Sequence, residues 1–262
     1  MKGRVPVDET DTLGGRRWNL RAMASARDIL AEIHGFWKTM GIWNGMLVAI
    51  DNEDDWLQER RKYLTASDAG SYCGINPFDR NGRLVLWEEK TGRRDRPDIG
   101  GSEAVRFGKE AEDVIRQLFM VTHPDWTLEY NRYGLEVNPK YPWMASTLDG
   151  VLHNRYTGKV AILEIKTTTI RTADRYKLWK NSEFPKHYIA QTMHQLITKE
   201  EADEVFLFGF ARVAWNPLLN LVVEQNLKRS ECSESLAWVL AKSKEMHRLI
   251  EEDERPDVVL SL

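Results

Sequence analysis

The segments Ser146-Thr147-Leu148-Asp149-Gly150 and, a short span later, Ala161-Ile162-Leu163-Glu164-Ile165-Lys166 decide how this chain folds. The first puts an acid at the end of a strand-like stretch, and the second puts an acid and a base inside the next. Side chains alternate along a strand, so Glu164 and Lys166 share one face while Ile165 enters the opposite layer. Two charges in the middle of an apolar strand are costly unless they are paired or bind something. An isolated acid-x-lysine is commonly just a cross-strand ion pair. Here the strand is apolar around it and Asp149-Gly150 lies one hairpin away. A hydrated divalent metal resolves the cost: Mg²⁺ takes hard oxygen ligands and keeps several waters, so Asp149, Glu164 and a backbone carbonyl such as that of Ile165 suffice when substrate phosphate supplies the rest. Lys166 then stabilises phosphate charge or helps deprotonate an attacking water.

Working outward, residues 103–121 carry the clearest helical periodicity, through Ala104, Phe107, Gly108, Ala111, Val114, Ile115, Leu118 and Phe119. Glu112 falls on the flank of that stripe, apart from Glu110 and Asp113, and either pairs with a core-edge cation or joins the metal site. Strand patterns cover 127–137, 143–146 running into 149–152, 160–167, 204–213 and 219–225. Helices are expected at 172–180, 186–198 and 233–252, with shorter ones over 54–63, from Thr65 to about Gly74, and over 83–90. A charged loop spans 93–101. This is an α/β (α+β) arrangement, a mixed central sheet flanked by helices. Tyr188, Gln191 and Gln195 share one face of the 186–198 helix, either as ordinary amphipathic polarity or as an amide row touching nucleic-acid backbone or a metal-bound water. Residues 1–45 read as a separate leader of unassigned role with an amphipathic helix at 24–38, either appended or misassigned, and 46–262 as a single domain, a natural start near Met46 being one reading of that boundary.

The net charge of -3 over 262 residues argues against coating nucleic acid by bulk electrostatics and leaves room for a local basic groove. Two cysteines cannot build a disulfide framework, and no apolar run approaches the roughly 18 residues of a membrane span. A cytosolic protein is expected. Phosphate-loop, HExxH and paired CxxC motifs are missing. His187 and His194 are expected at the surface or core edge, Cys73 and Cys232 as structural, and the ten tryptophans chiefly as packing.

These residues resemble the lambda-exonuclease-like, YqaJ-type viral recombinases of the PD-(D/E)XK nuclease superfamily. The resemblance runs in order through a tryptophan and an arginine before Leu64-Thr65-Ala66-Ser67-Asp68, then Gly74-Ile75-Asn76-Pro77-Phe78 and Phe107-Gly108-Lys109-Glu110-Ala111-Glu112. It continues through Ala145 to Gly150, Leu163 to Thr167, and Tyr188-Ile189-Ala190-Gln191. Leu148 departs from it, standing where the family has proline, and the leader has no counterpart. The resemblance implies a metal site of Glu112, Asp149, Glu164 and the Ile165 carbonyl, with Lys166 and Gln191 beside it and Mg²⁺ as cofactor, Mn²⁺ substituting. It also implies a 5'-phosphate pocket of Arg60, Ser67 and Thr147, although Arg60 in Glu59-Arg60-Arg61-Lys62 reads by itself as a solvated helix turn. The activity implied is 5'-to-3' digestion of linear double-stranded DNA, leaving 3' tails for a single-strand annealing protein. A ring-shaped homotrimer in the bacterial host cytoplasm, encoded by phage or prophage, goes with it. Alternatives are another superfamily endonuclease, a CRISPR-adaptation nuclease, whose usual four-cysteine cluster two cysteines cannot supply, and a non-catalytic DNA-end binder.

Overall fold

A computed structural model of the chain describes residues 10–13, 16–19, 46–48, 50–97 and 101–258. In chain order these form β1 (Thr10–Leu13), β2 (Arg16–Asn19), β3 (Met46–Val48), α1 (Glu53–Arg60), β4 (Leu64–Thr65), α2 (Ala69–Tyr72), α3 (Gly82–Lys90) and α4 (Glu103–Thr122). There follow β5 (Trp126–Glu129), β6 (Leu135–Val137), β7 (Met144–Ser146), β8 (Gly150–Asn154), β9 (Val160–Ile170), α5 (Ala173–Lys180) and α6 (Lys186–Thr198). The last are β10 (Ala202–Val213), β11 (Leu221–Lys228) and α7 (Ser233–Glu251). The helix expected at 24–38 lies outside the described residues.

Among the described residues the larger sheet has five strands, ordered β11-β10-β9-β8-β5. It is mixed: β9 and β10 run parallel and the other neighbours antiparallel. A second sheet of four strands, ordered β3-β6-β7-β4, stands apart from it, and β1 pairs with β2 as a ribbon. Alternation along β9 sorts its side chains into two layers. Ala161, Leu163 and Ile165 pack with Ile115 and Phe119 of α4 and with Phe206 and Phe208. Ile162 packs on the other side with Ala190, Met193 and Leu196 of α6 and Val239, Met246 and Leu249 of α7. Each of the larger side chains contributes about 1.5–3 kcal/mol by leaving water, so β9 is clamped from both faces. Side-chain caps start the helices where the sequence offers them: Asn52 for α1, Ser102 for α4 and Thr172 for α5.

The structure departs from the sequence reading in four places. The strand expected over 127–137 is two strands in different sheets, β5 and β6, because the turn from Tyr130 to Gly134, closed by Gly134 N–H donating to the Asn131 carbonyl at 3.2 Å, carries the chain across. Likewise the chain does not run straight from 143–146 into 149–152: Thr147, Leu148 and Asp149 carry it from β7 in the small sheet to β8 in the large one. Val114 is 66 % exposed and Leu118 is exposed too, since α4 presses only its Ile115 and Phe119 edge on the sheet. His194 lies fully inside, its ring between the Tyr72 hydroxyl (2.8 Å) and the Ala145 carbonyl (3.1 Å). Burial pushes its pKa down to about 4, which keeps it neutral.

Candidate active site

The β8–β9 ladder begins at Gly150 opposite Leu163. One residue further out the strands fork, and Asp149 takes the place of a strand partner: its Oδ2 accepts the Ile165 N–H at 2.7 Å. A residue's N–H and C=O leave the same edge of a strand, so the Ile165 carbonyl also faces the fork. A Cβ on Gly150 would meet the tip of the Leu128 side chain, which would have to swing aside. Burial pushes the Asp149 carboxyl well above its ordinary pKa, and the charges of Glu164 and Glu112 push it further, against the pull of Lys166 and the Ile165 N–H.

Glu164 is 2 % exposed and faces α6. Its Oε1 accepts from Gln191 Nε2 at 2.6 Å and pairs with Lys166 Nζ at 2.6 Å, while Oε2 accepts from Gln195 Nε2. Gln191 closes the ring by accepting from Lys166 through its Oε1 at 2.9 Å. Lys166 also lies 5.0 Å from the centre of the Tyr188 ring. Burial alone would lower the pKa of this ammonium, but Glu164 and Asp149 hold it above the usual lysine value. Between these carboxylates Lys166 sits as an ammonium.

Gly108 lets α4 come close to β9, where a Cβ would sit 3.3 Å from Thr167 Oγ1. That approach brings Glu112 to the fork. Burial raises its carboxyl pKa, and Glu164 and Asp113 add to the shift against Arg116 and Lys166. Arg116 escaped the sequence reading, though a cation four residues after Glu112 on one helix face was the available signal. It is 6 % exposed. Its Nε donates to the Asp149 carbonyl at 2.9 Å, Nη2 lies 3.5 Å from Glu112, Nη1 binds Asp113, and the guanidinium rests 3.7 Å from the centre of the Tyr130 ring. Arg116 thus sets both the backbone of Asp149 and the Glu112 carboxylate. Arg116→Met is expected to lower stability by about 2 kcal/mol, the scale of a buried carbonyl losing its donor, and to lower activity. Urea unfolding and rate measurements check this, and an unchanged midpoint contradicts it.

The other set of singled-out residues also comes together. Arg60 Nη2 donates to Ser67 Oγ at 3.0 Å and its guanidinium lies 4.4 Å from the centre of the Trp56 ring, while Trp56 Nε1 donates to Thr147 Oγ1 at 3.2 Å. Ser67 is held in place because the Thr65 N–H and hydroxyl both bind Asp68, at 2.9 and 2.8 Å. Asp68 is itself buried against Lys90 (3.1 Å) and Arg96 (3.0 Å). Burial alone would raise its pKa, yet those cations and bonds hold it far below the carboxylate range. An open cleft of about 240 Å³ links the two sets, lined by Trp56 and Thr147 and by Glu112, Arg116 and Asp149, together with Glu53, Lys109, Asp113, Tyr130, Arg132 and Tyr133.

Asp149, Glu112, Glu164 and the Ile165 carbonyl are hard oxygen donors, the chemistry Mg²⁺ prefers. Burial first, and then the charges of Glu164 and Glu112, push the Asp149 carboxyl up, which is the condition a cation relieves. Among the described residues no group of three or more His, Cys, Asp or Glu is arranged to hold a metal ion. Glu164 spends both oxygens on Gln191, Gln195 and Lys166. Two buried polar atoms beside these groups lack hydrogen-bond partners among the described residues, Gln195 Oε1 and Arg60 Nε. The first suits a metal-bound water and the second a phosphate oxygen.

Three similarities bear on this arrangement. The uncharacterized protein YqaJ of Bacillus subtilis (strain 168) is 32 % identical over 149 residues, a stretch covering 55 % of this chain and 42 % of that protein, so less than half of the relative is matched. The alkaline exonuclease LHK-Exo from Laribacter hongkongensis superposes with a TM-score of 0.56 at 17 % identity, covering 78 % of this chain and 97 % of that one, and its complex with dAMP gives 0.54 at 16 % identity over 78 % and 97 %. The likeness shows a shared fold, a mixed α/β core. The family model for the YqaJ-like viral recombinase domain matches residues 55–202, a stretch that holds the fork, the Glu164–Lys166 pair and the Arg60 cluster, and this chain belongs to that family.

Proposed function

We propose that this chain is a divalent-cation-dependent exonuclease that digests linear duplex DNA from 5' ends. The observation that carries the reading is the fork: a carboxylate, Asp149, replaces the missing strand partner of Ile165, beside Glu112 and the Glu164–Lys166 pair. Family membership and the fold shared with an alkaline exonuclease support it. In this reading Asp149, Glu112, Glu164 and the Ile165 carbonyl would hold Mg²⁺ or Mn²⁺, which would supply water activation and Lewis acidity for the scissile phosphate. Lys166 neutralises charge developing on that phosphate. Gln191 and Gln195 fix the Glu164 carboxylate, and Arg116 fixes the Asp149 backbone. The 3' strands left behind pass to a single-strand annealing protein. The nuclease unit is residues 46–262 with 1–45 appended, and the working form is a ring-shaped homotrimer in the bacterial cytoplasm.

Arg60, Ser67 and Thr147 hold the 5'-phosphate in this account. A terminal phosphate carries more negative charge than an internal diester, and a guanidinium grips it bidentately. Burial lowers the Arg60 pKa, and Arg96 adds to that lowering while Asp68 opposes it, so the guanidinium gains from an arriving anion. Arg60→Ala is therefore expected to slow digestion of 5'-phosphorylated linear duplex and to abolish its preference over 5'-hydroxyl ends. Covalently closed circles should resist the parent protein under the same conditions. An unchanged phosphate preference in Arg60→Ala removes the pocket from the account, and rapid cutting of closed circles removes the exonuclease assignment.

A further inference from the structure

The turn between β5 and β6 belongs to neither sheet, and it places Tyr130, Arg132 and Tyr133 on the lining of the cleft that also holds Glu112 and Asp149. Neither tyrosine takes part in an apolar core cluster of the described residues. Tyr130 is 39 % exposed, with Arg116 at 3.7 Å from its ring centre; Tyr133 is half-buried, 6.0 Å from the Trp56 ring and tilted 53° to it. Arg132 lies 5.6 Å from the centre of the Tyr133 ring. Single exposed tyrosines are common and need no explanation. Two of them, Tyr133 beside Trp56 and Arg132 and Tyr130 against Arg116, on the same concave surface as the acids, form a lining with different chemistry from a solvated turn.

We propose that Tyr130 and Tyr133 form a stacking wall that receives the base of the nucleotide whose phosphodiester lies at Asp149. The inference rests on the nuclease reading and adds the part of the substrate that reading leaves unplaced. Acids at the fork can address only the phosphate, whereas every base has a π-face and stacks on an aromatic ring whatever its sequence. That tolerance is what an enzyme removing successive nucleotides of any sequence needs. A cleft of about 240 Å³ suits a single nucleotide unit better than a base pair within a stack. The base therefore enters unpaired, which costs least at a duplex end. Arg116 couples the wall to the chemistry, since the same guanidinium lies against the Tyr130 ring and holds the Asp149 carbonyl.

The test compares the full-length protein with Tyr133→Ala and Tyr133→Phe on 5'-phosphorylated linear duplexes whose terminal residue is either a normal nucleotide or a tetrahydrofuran abasic analogue. The parent should favour the normal end by about tenfold in kcat/KM, within the range of one base–aromatic stack. Tyr133→Ala should lose that preference mainly through KM, and Tyr133→Phe should keep it. A parent that does not distinguish the two ends, or a Tyr133→Ala protein that still does, overturns the wall. Should Tyr133→Ala fail to fold, Tyr133→Leu, which keeps apolar contact with Trp56 and has no π-face, takes its place. Equilibrium binding of a 5'-phosphorylated dinucleotide and its abasic counterpart separates this proposal from the nuclease reading. If the parent cuts no DNA but binds the dinucleotide about tenfold better, with the difference lost in Tyr133→Ala, the wall stands and the nuclease reading falls; equal binding of the two overturns the wall.

Discussion

An Asp149→Asn protein is expected to fold as well as its parent and to retain about 1 % or less of its activity on linear duplex DNA. The size is that of losing one preorganised group from a reacting site, an effect on the order of 100- to 1,000-fold, here a carboxylate that would hold the cation and not the phosphate itself. Folding should survive because asparagine keeps an oxygen that can accept the Ile165 N–H, and because the Asp149 carboxylate sits among Glu164 and Glu112 charges that oppose it. The same crowding gives a sign to the pH dependence. A carboxyl raised in the folded state stabilises folding fully below its unfolded pKa, roughly 3.9, and that contribution is lost as pH rises through the folded value. In chelator, stability should therefore fall with rising pH across that window, and the fall should be shallower in Asp149→Asn. Urea unfolding at a series of pH values reads both slopes. Parallel slopes contradict the placement of Asp149 among like charges, and substantial cutting by folded Asp149→Asn removes it from the chemistry.

Lys166→Met should cost a similar factor in kcat, on the order of 100-fold, while leaving divalent-cation binding in place. The ammonium sits 2.6 Å from Glu164 and 2.9 Å from Gln191, and its neighbours hold it protonated, so its contribution is positive charge. Methionine keeps the length of the stem and removes that charge. Glu164 retains donors from Gln191 and Gln195, so the loss of stability should stay below the roughly 3–5 kcal/mol of a stranded buried ion. Calorimetric titration with Mn²⁺ separates the roles: affinity within a fewfold of the parent supports charge stabilisation, and collapse of affinity makes Lys166 a structural support for the carboxylates.

Much of this arrangement is legible in the sequence because period-two alternation is unambiguous in an apolar strand. Glu164 and Lys166 could only share a face, and they do. The helical stripe likewise places Glu112 near the sheet, and the spacing of Gln191 and Gln195 puts both amides on Glu164. The two crossings between sheets were hidden. Residues 127–137 are rich in strand formers throughout, and only Asn131, Gly134 and a slip in the alternation between Tyr130 and Tyr133 mark the turn that lines the cleft. Arg116 was hidden for another reason: four residues beyond Glu112, it has the pattern of a surface ion pair, and its hold on the Asp149 carbonyl depends on a neighbour distant in the chain. His194 shows the same limit, since nothing local says that Tyr72 will meet it in the interior.

Digestion of end-labelled linear duplex bearing a 5'-phosphate, with Mg²⁺ and with chelator, tests the central claim most directly. With label on the 5' end the account predicts early release of mononucleotide, with label on the 3' end late release, and with chelator no release of either. Early release of the 3' label contradicts the polarity, and release that persists in chelator contradicts a metal centre at the Asp149 fork.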